Sequence, residues 1–481
     1  MSIDFSARYV MTIGGKAATG TETITVVNPA TAEAIATAPN ASREQLDQAV
    51  DGARAAFALW AAKPVSERQS TLRAMAERLN ANIDGLSQLL TREQGKPLDA
   101  ARNEVLSAAH WCAEFSKLSL PVDTIEDSNT TLVQTRHVPL GVVGGIVPWN
   151  FPLVLALWKV APALLAGNTL VLKPSPFTPL TTLKFGELVR DLLPPGVLNI
   201  VSGDDRLGPW MSSHPGIDKI SFTGSTATGR KVMQSAAGNL KRLTLELGGN
   251  DAAIVMPDVD VEALAPVLFW AAFANSSQFC LATKRLYVHE AIYEQMANAL
   301  VRIGRSVKMG DGSAEGTQLG PIQNRLQYQR LINLVEDSRF HGHRFLLGGE
   351  IPKGKGFFFP VTLIDNPPDD SRVVKEEPFG PILPLLKFST IDEAVVRAND
   401  SEYGLGASVW ARDYRQGQAI AERLQAGSVW VNEIHTITPH KPMAGHKQSG
   451  IGVENGLVGL LEYTVPQTLS IKKADAPRAA P

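Results

Sequence analysis

Gly141-Val-Val-Gly-Gly-Ile-Val-Pro148-Trp149-Asn150-Phe151-Pro152, followed by Leu153-Val-Leu-Ala-Leu-Trp158-Lys159-Val-Ala-Pro162-Ala-Leu-Leu-Ala-Gly167-Asn168 and Thr169-Leu-Val-Leu-Lys173, is the stretch on which the fold turns. It is apolar enough to raise the question of a membrane span, which needs a clean run of about 18 apolar residues. Pro148, Pro152, Lys159, Pro162 and Asn168 interrupt it. The better reading is a buried strand, a turn, a helix and a second buried strand.

Working outward, short β-rich runs recur at Val142–Val147, Thr169–Lys173, Val197–Val201, Lys219–Phe222 and Ala252–Val255, with helical segments such as Leu180–Leu193 and Thr228–Gly238 between some of them. Strands alternating with helices imply a parallel, doubly wound sheet. A second alternating series runs from Arg285–Val288 through Ile292–Ile303, Phe357–Leu363, Leu383–Phe388, Ala407–Trp410, Tyr414–Leu424 and Val429–Asn432, and reads as a second α/β domain. Upstream, residues 22–40 read as a short strand and turn. Ser42 with Gln45 has the pattern of a capping box. Three helical segments follow to about Leu118, divided at Pro64 and at Gly95-Lys-Pro97, with Glu44, Arg68 and Arg92 on polar faces. The tail Lys472–Pro481 is expected to lack order.

The 481 residues call for two or three domains, and 44% hydrophobic and 20% charged content with a formal charge of −2 describe an ordinary globular chain. That balance argues against nucleic acid and anionic membranes as partners. Two cysteines make neither a disulfide framework nor a Cys-rich zinc site, and with an N-terminus lacking a signal pattern they suggest the cytoplasm. No ligand cluster suggests a metal.

Three settings carry chemistry. Phe273-Ala-Asn-Ser-Ser-Gln278-Phe279-Cys280 places a thiol after a polar run. A free cysteine is commonly just a small buried hydrophobe, which suits Cys112 inside Ala108-Ala-His-Trp-Cys-Ala better than it suits Cys280. Leu245-Glu246-Leu-Gly-Gly-Asn250 ends an apolar strand on one carboxylate, whose burial should raise its pKa towards neutrality, where a general base works best. The Asn150 carboxamide can donate hydrogen bonds to an oxyanion. Phe222-Thr-Gly224-Ser225-Thr-Ala-Thr-Gly229 joins a strand to a helix and offers glycine-permitted backbone approach and a helix N-terminus for phosphate.

Together these blocks resemble the aldehyde dehydrogenase superfamily, over about residues 20 to 470. The resemblance implies a Cys280 nucleophile, an Asn150 oxyanion donor, and Glu246 as the base that hydrolyses a thioester to the free acid. It implies that Lys159 and Glu454 move protons and water near the thiol. For NAD or NADP it implies contacts from Trp149, Lys173, Gly224, Ser225, Glu377, Phe379 and, towards the adenine, Gln327. Phe151, Trp158, Phe279, Leu281, His435 and Met443 would line the substrate funnel. That lining has no arginine pair for a second carboxylate, which favours aromatic or medium-chain aliphatic aldehydes over semialdehydes. A cofactor-independent cysteine esterase, a non-catalytic protein on the same fold, and a phosphorylating or CoA-acylating dehydrogenase are the rivals.

The implied architecture is a dinucleotide-binding domain from 1–118 and 141–246, a catalytic domain over 247–440, and an oligomerisation flap of 119–140 and 460–475 that would build a homodimer or homotetramer. The chain also departs from the family. Pro176 stands where NAD-preferring members usually carry Glu, so relaxed cofactor choice with NAD slightly ahead is expected. Ser277 and Ala444 replace family glycines, and Met443 stands at a common aromatic position.

Overall fold

A computed structural model describes residues 4–6 and 8–473 of the chain. After a short antiparallel pair, Met11–Ile13 on Lys16–Ala18, comes a second hairpin, Glu22–Asn28 on Glu33–Asn40, so the expected single strand and turn continue into a second strand. The capping box forms as read: Ser42 Oγ accepts the Gln45 N–H at 3.3 Å, and Gln45 Oε1 accepts the Ser42 N–H at 3.2 Å. Four helices follow, Arg43–Ala61, Val65–Ala81, Ile83–Gln94 and Leu98–Phe115. The additional break falls at Asn82, whose φ of −122° leaves the helical region. Arg68 is not on a polar face. It is buried, and its guanidinium donates to the carbonyls of Leu165, Ala61 and Lys63, satisfying groups that two helix ends leave open.

The interrupted apolar stretch folds as a strand, Val142–Ile146, a helix, Pro152–Ala166, and a strand, Thr169–Lys173, with every strand residue buried. Five parallel strands lie in the order Leu198–Ile200, Thr169–Lys173, Val142–Ile146, Lys219–Thr223, Arg242–Glu246. This order reverses direction between Val142–Ile146 and Lys219–Thr223, the topological switch point at whose carboxyl ends doubly wound sheets bind ligands. Antiparallel strands cover both edges: Met11–Ile13 at one, and Gly450–Ile451 beside Glu246 at the other.

A second sheet carries Thr362–Asp365, Ile382–Phe388, Thr283–His289, Asp251–Val255, Gly406–Trp410 and Ser428–Val431 in parallel, with Arg344–Leu347 antiparallel at one edge. Asp251–Val255 pairs here, in keeping with a catalytic domain that begins at 247, although the strand pattern taken alone groups Ala252–Val255 with the first series. The reason is the Gly248-Gly249 crossing, which ends one sheet at Glu246 and starts the next at Asp251. Helices Val261–Phe273, Arg325–Phe340 and Ile391–Asn399 pack against this sheet and were not marked in the sequence pattern. Within Phe357–Leu363 only Thr362 and Leu363 are strand.

Val122–Asp127, Thr131–Pro139 and Thr464–Lys472 form a separate three-stranded antiparallel sheet. Lys472, expected at the start of an unstructured tail, ends its last strand; residues 474–481 lie outside the described residues. No described helix is long and apolar enough to cross a membrane.

Candidate active site

At the switch point a cavity of about 140 Å³ is lined by Trp149, Asn150, Leu155, Gly224, Ser225, Leu247, Cys280, Gln327, Arg330, Glu377 and Phe379 among others. Residues from both sheets therefore meet at one cleft. Gly249 shows how the carboxylate block and the thiol loop come together: a Cβ there would sit 2.8 Å from the Cys280 carbonyl oxygen, so only glycine allows this approach.

The thiol loop is held in an unusual backbone. Asn275, Ser276 and Ser277 have φ of 50°, 54° and 59°, three consecutive left-handed residues without a glycine. Each costs of order 1–2 kcal/mol, and the surroundings must over-determine it. Ser276 Oγ donates to Gly320 O at 2.7 Å, Ser277 Oγ to Ala272 O, and Gln278 spans the loop through Asn275 O, Pro321 O and the Gln323 N–H. Asn150 Nδ2 donates to Gln278 O at 2.9 Å, which ties the carboxamide to the thiol loop, while Asn150 Oδ1 has no protein partner.

Burial pushes the Cys280 thiol up to about 12, with Lys284 opposing and Glu377, Asp251 and Glu246 reinforcing. Glu246 is buried with neither carboxylate oxygen hydrogen-bonded. Desolvation, with Glu454 adding and Lys159 opposing, holds its pKa well above the usual carboxylate range. Behind it lies a buried polar chain. Lys159 Nζ donates to Glu454 Oε1 at 2.6 Å and to Thr223 Oγ1 at 2.8 Å. Ser221 Oγ also donates to Glu454, and Tyr463 OH to Ser221.

Gly224 makes the strand-to-helix corner tight: a Cβ there would meet the Phe222 ring at 2.5 Å. Ser225 caps helix Thr226–Ala236 by accepting the Thr228 N–H. A helix N-terminus at a glycine corner beside a cavity fits a dinucleotide phosphate. Glu377 Oε1 accepts the Gly249 N–H at 3.1 Å, and the Trp149 and Phe379 rings meet edge to face at 5.4 Å. Lys173 ends the neighbouring strand. It is buried, and burial lowers its amine to about 8 against the pull of Asp205 and Asp204. Pro176, partly exposed, offers no polar side chain there. Gln327 lines the same cleft. Its Nε2 donates to the Pro378 and Phe379 carbonyls at 2.7 and 3.2 Å, which braces the Glu377 loop.

Of the funnel residues, Phe151, Phe279 and His435 form a chain of edge-on ring contacts that Trp430 extends. His435 Nε2 bonds Leu281 O at 2.7 Å, and burial lowers the imidazole to about 4. Met443 pairs with Glu454 through the backbone. Trp158 stacks on Trp111 at 5.2 Å, a partner the sequence pattern did not mark. The sequence pattern does not mark Lys96, in the turn between two helices, Glu104 in a helix, or Asp251 and Lys284 in strands; all four are buried charged residues.

The model of the "Aldehyde dehydrogenase family" matches residues 16–469. Aldehyde dehydrogenase LUC3 of a Fusarium species is 40% identical over 463 residues, covering 96% of this chain and 98% of that protein. An NAD+ complex of aldehyde dehydrogenase from Bacillus cereus superimposes with a TM-score of 0.95 at 36% identity, covering 98% of each chain. An NADP-dependent E. coli enzyme does so with 0.94 at 33% identity, over 97% of this chain and 98% of its own. A switch-point cleft lined by the Cys280 thiol and the Asn150 carboxamide thus comes with near full-length similarity in sequence and structure, and the chain belongs to the aldehyde dehydrogenase family as an NAD(P)-dependent enzyme.

Proposed function

We propose that this enzyme oxidises aromatic or medium-chain aliphatic aldehydes to free carboxylic acids, with Cys280 as nucleophile, Asn150 as oxyanion donor and Glu246 as hydrolytic base. The observation that supports the reading is a cleft lined by Cys280 and Asn150, with the buried Glu246 carboxylate next to the lining residue Leu247 and near enough to reinforce the raised pKa of the thiol. The bound nicotinamide supplies the hydride acceptor. Gly224, Ser225 and the helix they open would hold its phosphates, Lys173 the adenosine ribose, and Glu377 with Phe379 and Trp149 the nicotinamide end. Cys280 attacks the carbonyl carbon, and the Asn150 Nδ2–H with the Cys280 N–H stabilises the tetrahedral oxygen. Glu246 then takes a proton from the water that cleaves the thioester. Lys159 and Glu454, whose charges act on that carboxylate without a hydrogen bond to it, would move protons and water near the thiol.

The ring chain Phe151–Phe279–His435 supports an apolar substrate. An imidazole lowered to about 4 is neutral at pH 7, so His435 gives no cation to hold a second carboxylate. Pro176 leaves the adenosine ribose without its usual acidic partner, which supports use of both cofactors with NAD slightly ahead. The exposed three-stranded sheet supports a homodimer or homotetramer, and two free cysteines support a reducing, cytoplasmic setting.

The test is absorbance at the reduced-nicotinamide band, with aromatic and aliphatic aldehyde panels, NAD+ and NADP+ offered separately, and Cys280→Ala as the blank. No reduction with any pair while an ester is still cleaved would overturn the reading. Asn150→Ala is expected to lower kcat by about 10²-fold with the KM for cofactor unchanged, since it removes one preorganised oxyanion donor.

A further inference from the structure

Lys284 is the charged group closest in function to Cys280 that the proposed chemistry leaves unused. It enters at the second position of strand Thr283–His289, in a run whose first six residues are all buried. Its side chain is 2% exposed. Nζ donates to the Cys280 carbonyl at 2.5 Å and lies 3.3 Å from Glu377 Oε1. A buried ammonium is costly and persists only where it is paired and hydrogen-bonded. Here the partners are the backbone of the nucleophile and the carboxylate assigned above to the cofactor ribose.

We propose that Lys284 is a positioning residue that couples cofactor binding to thiolate formation at Cys280, with Glu377 as the intermediary. The inference rests on the cofactor role read for Glu377. Without cofactor, Glu377 neutralises much of the Lys284 charge. Ribose hydroxyls that hydrogen-bond Glu377 compete for the same carboxylate, so more of the ammonium's field falls on the sulfur. The groups facing Cys280 are Lys284, Glu377, Asp251 and Glu246, and Lys284 is the one cation among them. Those facing Lys284 are Glu377, Asp251, Cys280 and His435. Burial raises Asp251 to about 7, which weakens it as a competitor for the ammonium. The thiol proton leaves to water in the cleft, and no other reactant is needed.

The experiment is the pH profile of Cys280 alkylation by iodoacetamide, with and without NAD+. Cys112 is fully buried and pushed up to about 12, and Cys280→Ala gives its background. The midpoint of the profile is the readout, because steric shielding by cofactor changes the rate and not the midpoint. NAD+ is expected to shift the wild-type midpoint down by about one pH unit, a tenfold larger thiolate fraction at fixed pH below it. Lys284→Met should raise the midpoint and abolish the NAD+ response, and Lys284→Arg should restore part of both. Glu377→Gln, which leaves the ammonium unpaired, should lower the midpoint without cofactor. A Lys284→Met profile that matches wild type, or an NAD+ shift that survives in it, overturns the proposal. So does a Glu377→Gln midpoint that stays put, should Lys284→Met fail to fold. Aldehyde oxidation by the wild type is followed in parallel. If it is absent while the midpoints move as described, the reaction reading fails and the coupling stands.

Discussion

Glu246→Gln is expected to give one equivalent of reduced cofactor per active site and then turnover slower by about 10²–10⁴-fold, the range for loss of a positioned general base. The substitution keeps shape and removes only proton uptake. Acylation of Cys280 needs no proton acceptor at residue 246, so the first equivalent forms. Thioester hydrolysis does need one. Rapid-mix absorbance separates the burst from the steady state, and a variant without a burst or without a steady-state defect refutes the assignment. The pH dependence follows from the raised pKa of Glu246, whose causes are burial first and Glu454 second. Activity in the wild type should fall on acidification through a pKa well above 4.5, and this limb should vanish in the variant. Stability carries the opposite sign. A carboxyl with a raised folded-state pKa contributes fully below its unfolded value and loses that contribution as pH rises through the folded one. Glu246→Gln should therefore match or exceed the wild-type Tm at pH 8 while having lost turnover, the pattern of a site that trades stability for function.

The largest stability loss is expected at Glu104→Leu, about 3–5 kcal/mol by chemical denaturation, the cost of leaving one charge of a buried pair uncompensated. Glu104 and Lys96 have side chains 0% and 1% exposed, with 2.5 Å between Oε2 and Nζ. Glu104 Oε1 also accepts the Leu153 and Val154 N–H groups at 2.9 and 3.3 Å, orphan donors in the first turn of Pro152–Ala166. Desolvation already lowers the Lys96 pKa, with Glu104 opposing, so removing the carboxylate strands the ammonium. Lys96→Met combined with Glu104→Leu should recover most of the loss, since replacing both partners with apolar groups removes the stranded charge. If the double variant is no more stable than Glu104→Leu alone, the ion pair is not the source. Lys96 Nζ also donates to Asn150 O at 2.9 Å and lies 3.8 Å over the Phe151 ring, so both single variants should lower kcat through the oxyanion loop.

Much of this was legible in the sequence because it is local. The punctuated apolar stretch, the capping box and the Gly-Ser corner each express themselves within a few residues. The strand pattern alone groups Ala252–Val255 with the first sheet, because a buried strand has the same composition on either side of a glycine crossing; the resemblance, with its boundary at 247, assigns it to the second. Arg68 was placed on a polar face because helical spacing reports direction, whereas its guanidinium reaches back to carbonyls on two other segments. The thiol, carboxylate and carboxamide stood in recognisable blocks. Lys284, Lys96 and Glu104 did not, since a buried charge looks like a surface charge until its partner, 8 to 93 positions away, is placed beside it.

The edge strand Gly450–Ile451 has a bearing on how the protein is made. Glu246 and Leu245 pair with it, so the strand that bears the base has no outer neighbour until the ribosome has added roughly 200 further residues, a delay of about 10–40 s at typical synthesis rates. Lys159 likewise waits for Glu454. A nascent chain therefore carries its thiol loop well before the strand Gly450–Ile451 and Glu454 arrive to complete the sheet edge and the buried ion pair.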